Sequence, residues 1–169
     1  LMIFYHIVFD LKSFFQIPIP TYDTIFLIGP EIIGGLFLWV SGYTHSLHFK
    51  NPPLKNAFKL FGIAMALTLM TYAYFKTKLI LFGILHCIAI SILLSNFLKK
   101  FSAFWIFFLG CILVLSGFFW VQFIPHTSLF LIPFGGAIQT RSFMMLDYFP
   151  LIPYWGEFLI GLSTGLYFQ

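Results

Sequence analysis

Residues 79–98 carry no lysine, arginine, aspartate or glutamate, and about 20 apolar residues suffice for a helix to cross a bilayer. In the middle of this run stands His86, within Phe82-Gly83-Ile84-Leu85-His86-Cys87-Ile88. An ionisable group at membrane depth is costly; it faces the inside of a helix bundle and marks a functional site. Composition extends the point to the whole chain. Of 169 residues, 60% are hydrophobic, 8% are charged and 25 are phenylalanine, whereas a soluble domain carries roughly 25% charged residues. These values exclude a soluble globular enzyme and predict an all-α integral membrane protein. The net charge of +4 sits mostly in short connections, so it bears on membrane orientation and not on nucleic-acid binding.

The apolar segments predict a single domain, a bundle of about six transmembrane helices at about 1–17, 23–44, 56–75, 79–98, 101–124 and 151–169. The chain opens at Leu1 inside an apolar run, with no initiator methionine and no basic flank. It therefore reads as a fragment truncated at its N-terminus. The longest connection, 125–147, has the length of a functional loop or lid. Span five is aromatic and nearly bare of polar groups, as expected of a lipid-facing helix. Gly161 and Gly165 stand four apart, the spacing that lets two membrane helices approach closely. Cys87 and Cys111 fall within apolar spans and read as small packing residues. His45, His48 and His126 lie near connections and read as interfacial. No His-x-x-x-His or Cys-x-x-Cys spacing occurs, so no metal site is expected.

Sidedness comes from the connections. Lys50, Lys55, Lys59, Lys99 and Lys100 lie on one side, and Lys12, Lys76, Lys78 and Arg141 on the other, together with Asp10, Asp23 and Asp147. The five-to-four bias places the first set in the cytoplasm. With that orientation His6, Asp10, Glu31, His86 and Glu157 fall in one outer layer, as expected of a polar cavity within the bundle that opens outward.

Four stretches resemble one family in order and spacing: Met2-Ile3-Phe4-Tyr5-His6-Ile7-Val8-Phe9-Asp10-Leu11; Leu38-Trp39-Val40-Ser41-Gly42; Phe82-Gly83-Ile84-Leu85-His86; and Asp147-Tyr148-Phe149-Pro150-Leu151-Ile152-Pro153-Tyr154-Trp155-Gly156. The chain is similar to the heparan-alpha-glucosaminide N-acetyltransferase catalytic-domain family, most of all its bacterial members. The resemblance implies an enzyme of the bacterial cytoplasmic membrane that takes acetyl groups from cytosolic acetyl-CoA and delivers them to an amino sugar on the far side. In the lysosomal branch a histidine after the first span is the proposed acetyl carrier. No histidine lies between Asp10 and Thr44 here, so that residue is not carried over.

Acyl transfer needs a base for the incoming amine and donors for the oxyanion. His6 and Asp10, four apart on a helix, share a face and fit a base and the carboxylate that orients it. His86 is the candidate second acid or base. Glu31, Asp147, Tyr154 and Glu157 would hold the acceptor's hydroxyl or amino groups. Lys50, Lys55, Lys59, Lys99 and Lys100 would steer the coenzyme's phosphates. Two other classes stay open: an accessory subunit of a larger membrane complex or homo-oligomer, and a small proton-linked transporter using His6, Asp10 and Glu31 as a relay.

Overall fold

A computed structural model of the chain describes residues 7–8, 11, 23–52, 54–75, 78–123, 129–136, 144–145 and 147–169. Among the described residues are five longer helices: α1 (Asp23–Ser46), α2 (Leu54–Phe75), α3 (Ile84–Ser95), α4 (Ala103–Phe123) and α5 (Leu151–Tyr167). Short 3-10 turns occupy Asn96–Leu98 and Leu129–Phe134. The all-α expectation holds, with one small exception. Strands β1 (Lys78–Leu79) and β2 (Met144–Met145) pair in parallel, with Lys78 opposite Met144 and Leu79 opposite Met145. A further bridge joins Phe82 to Tyr148.

That pairing moves one boundary. The apolar run beginning at residue 79 was expected to be helical throughout, but its helix starts at Ile84. The residues before it run extended because their backbone groups bond to the stretch leading into α5, as in the Phe149 N–H donating to the Phe82 carbonyl at 3.0 Å. Most of the first expected span, with His6 and Asp10, lies outside the described residues.

The centre of the bundle is α5. A side chain on Gly161 would strike the Trp39 carbonyl, one on Gly35 the Glu157 carboxylate, and one on Gly165 the Ser46 hydroxyl. The register advances in the same direction on both helices, so α1 and α5 are parallel and in near backbone contact. This is the close approach expected of the Gly161–Gly165 pair. On its other side α5 meets α4 in the opposite sense, with Gly110 against Gly156 and Gly117 against Pro153. The expectation of a bare fifth span is thus half right. Phe104, Trp105, Phe108 and Phe119 of α4 are exposed and Ile106 is buried, while its glycines carry the tightest contact with α5.

Phe158, Leu159 and Leu162 at the middle of α5, with Leu38 of α1, are completely buried. By contrast α2 packs mainly on α3 and presents Phe58, Ile63, Leu69, Met70, Tyr72 and Tyr74 outward. Among the described residues one helix, Leu54–Tyr74, is long and apolar enough to cross a membrane by length and composition; Ile84–Leu98 and Ala103–Gly117 are apolar but shorter.

Candidate functional site: two chambers at opposite ends of the bundle

The start of α3 shows how the fold recruits polar side chains. The first backbone N–H groups of a helix have no partner within it. The carboxylate of Asp147, 63 residues along the chain, accepts the N–H of Ile84 at 3.0 Å. Nδ1 of His86 accepts the N–H of Gly83 at 3.2 Å. An accepting Nδ1 leaves the proton of the neutral ring on Nε2, which lies 3.4 Å from the Thr68 hydroxyl. That hydroxyl donates in turn to the Ile80 carbonyl at 2.6 Å. The His86 ring stacks on Phe82 at 5.7 Å and meets Phe61 edge-on at 5.8 Å.

His86 is therefore buried as expected, but its nitrogens serve the fold. It is not among the described residues lining the nearby cavity. The physical reason is the orphan donor at Gly83, three residues before it. Gly83 itself leaves the space that the Asp147 carboxylate occupies. Replacing Asp147 by alanine is expected to lower stability by about 1–2 kcal/mol, the cost of a lost cap with a stranded donor. Thermal unfolding in detergent checks it, and Asp147→Asn should recover much of the loss.

Next to this knot opens a cavity of about 460 Å³, lined by Glu31, Tyr148, Tyr154, Glu157, Gly117 and Pro153 among others. Glu31 comes from α1, and Tyr154 and Glu157 from the first two turns of α5. The parallel register of α1 and α5 brings the two carboxylates to one level, and Gly35 makes room for Glu157. Oε2 of Glu157 is buried and has no hydrogen-bond partner among the described residues. An unpaired buried carboxylate oxygen costs stability unless a donor comes from outside. Tyr148, which sequence reasoning assigned no role, donates to the Ile132 carbonyl at 2.7 Å and so fixes the chamber rim; burial raises its phenol above the usual range.

The other end of the bundle carries the opposite charge. A cavity of about 520 Å³ is lined by Ser46, His48, Lys50, Asn51, Lys99 and Gln169, with apolar neighbours. Ser46 is 15 residues beyond Glu31 on α1, about 22 Å at the helical rise. Of the five lysines expected to gather, Lys50 and Lys99 share this chamber. Lys55, Lys59 and Lys100 are exposed at the same end of the bundle and do not line it. Asn51 and Gln169 were not anticipated; isolated amides in a connection give no signal of convergence.

Just past the apolar stretch of α1 at this end, His45 is buried, and its Nε2 lies 3.0 Å from the Ser95 hydroxyl, which donates to the Ile92 carbonyl at 2.8 Å. Burial, then His48 and Lys99, lower its pKa to about 4. Because the folded state holds this proton less tightly than the unfolded chain, stability is full above about pH 6.5 and falls as pH drops toward 4. The expected loss is on the order of 2 kcal/mol after allowance for screening. Unfolding measured at pH 7 and pH 4.5 should show a smaller acid effect for His45→Asn than for the parent chain.

Among the described residues no cluster of three or more histidine, cysteine or acidic side chains could hold a metal ion. The family model described as heparan-alpha-glucosaminide N-acetyltransferase, catalytic, matches residues 1–169. No curated protein and no solved structure matches the chain.

Proposed function

The chain belongs to the heparan-alpha-glucosaminide N-acetyltransferase catalytic family, a membrane-associated acetyltransferase family, and from that premise we propose that it transfers an acetyl group across a bacterial cytoplasmic membrane. In this reading the bundle spans the bilayer, with the lysine end at the cytoplasm. Acetyl-CoA enters there as donor, its phosphates against Lys50 and Lys99, with Lys55, Lys59 and Lys100 adding to the local field. The acceptor is an amine on a sugar-like molecule, held in the carboxylate chamber by Glu31, Tyr154 and Glu157. The observation that carries the proposal is the pairing of Glu31 and Glu157 in one cavity at the end of the bundle opposite the lysines.

The chemistry follows from those groups. An amine reaches the chamber as an ammonium ion, which two carboxylates attract and Glu157 deprotonates. The freed nitrogen forms a bond to the thioester carbonyl, the carbon–sulfur bond breaks, and the coenzyme leaves as a thiolate that takes up a proton. His6 and Asp10, outside the described residues, stay candidates for a second base and the carboxylate that orients it. His86 and Asp147 act as positioning residues, because they fix the start of α3 beside the chamber. Purified protein in proteoliposomes, given acetyl-CoA outside and glucosamine inside, should yield N-acetylglucosamine inside. Proton flux driven by the amine without acetylation would instead indicate a transporter, and inertness in both assays an accessory subunit.

A further inference from the structure

Beside the lysine chamber runs an apolar groove of about 340 Å³ on the outer face of α4, lined by Phe101, Trp105, Phe108, Leu109 and Ile112 with Leu98 and Ile106. Phe101 lines both spaces, so they adjoin. Their characters are opposite. The described residues lining the chamber include Lys50, Lys99 and His48 and no aspartate or glutamate side chain, whereas the described residues lining the groove include no charged one. From Ala103 to Ile112 the helix rises about 14 Å away from the lysines.

We propose that chamber and groove together form one site for an anionic phospholipid of the cytoplasmic leaflet. This rests on the reading that the lysine end faces the cytoplasm. The headgroup phosphate sits against Lys50 and Lys99, and one acyl chain runs along α4 past Trp105 toward Ile112. The direction of the groove carries the argument: it leads from the charged rim into the apolar length of the bundle, which is how a lipid lies in a leaflet. Basic pockets between membrane helices on the cytoplasmic side recognise anionic headgroups, and a tryptophan beside the rim suits the headgroup level. A soluble phosphate compound would use the chamber and leave the groove unused. Because the same lysines serve the acetyl donor in the proposal above, lipid and coenzyme compete, and the lipid sets how much of the chamber is open to the donor.

The test is native mass spectrometry of the whole purified protein titrated with dipalmitoyl phosphatidylglycerol, dipalmitoyl phosphatidylcholine, a dihexanoyl phosphatidylglycerol and coenzyme A. The long-chain anionic lipid should bind at least tenfold more tightly than either other lipid. Lys50→Gln with Lys99→Gln should weaken it by about 30-fold, as expected for two lysines near an anionic surface. Leu109→Asp, which leaves both lysines in place, should erase the advantage of long chains over short. Equal binding of the two headgroups, or a preference that survives both lysine substitutions, overturns the proposal. Coenzyme A bound in the chamber and not displaced by phosphatidylglycerol overturns it as well. Phosphatidylglycerol bound with no coenzyme A binding would sink the donor reading and leave the lipid site standing.

Discussion

Glu157→Gln is expected to lower acetyl transfer by about 100-fold or more, the usual worth of a positioned general base, while the protein stays folded. Stability should be unchanged or higher. The substitution keeps the shape of the side chain but removes the charge from a buried oxygen without a partner among the described residues, a group that weakens the fold where it stands. A fall in activity together with an unchanged or raised melting temperature separates a functional carboxylate from a structural one. If activity and stability fell together, Glu157 would be packing glue. Glu31→Gln, on the exposed side of the same chamber, should mainly raise the KM for the amine, because it supplies attraction in ground and transition states alike.

The second large effect concerns the fold. Gly161→Ala is expected to destabilise the chain by about 1–3 kcal/mol, at the upper end for overpacking, because the new methyl group would meet the Trp39 backbone carbonyl. Backbone cannot swing aside as a side chain can. Gly62→Ala on α2 is the matched control, since nothing lies within 4 Å of its added carbon. There the same change should stabilise by about 0.5–1 kcal/mol through helix preference alone. Opposite signs for one chemical substitution at two helical glycines, read as shifts in melting temperature, would establish that α1 and α5 meet at the backbone.

How far the sequence reveals this arrangement depends on the range of the forces involved. The extents of α1, α2, α4 and α5 follow from apolar runs bounded by prolines, lysines and loops, and they differ from expectation by only a few residues. Those signals are local. The extended stretch before Ile84 was illegible because its partner, Met144–Met145, lies more than 60 residues away. The same distance hides the bond by which Asp147 caps α3. His86 is a different case. Its burial follows from the apolar run around it, but burial alone does not say where a ring points. A helix that starts at Ile84 leaves the Gly83 donor unpaired, and the imidazole three residues on accepts it. Glu31 and Glu157 each stand as isolated acids in the sequence. Their meeting depends on the parallel register of α1 and α5, to which the glycine spacing contributes closeness but not direction.

The backbone contact between α1 and α5 also limits how the molecule can work. Two rods pressed together through glycines, with α4 seated on the far side of α5 in the same way, can hardly slide or part. The two chambers therefore stay at a fixed separation, like marks on a ruler, and in the proposed reaction the reach of the coenzyme covers the distance between them. In that reaction, movement that admits the ligands is expected of α2, which leans mainly on α3. Spin labels at positions 36 and 160 should hold one distance with and without acetyl-CoA and glucosamine, whereas a label at position 69 should move relative to both.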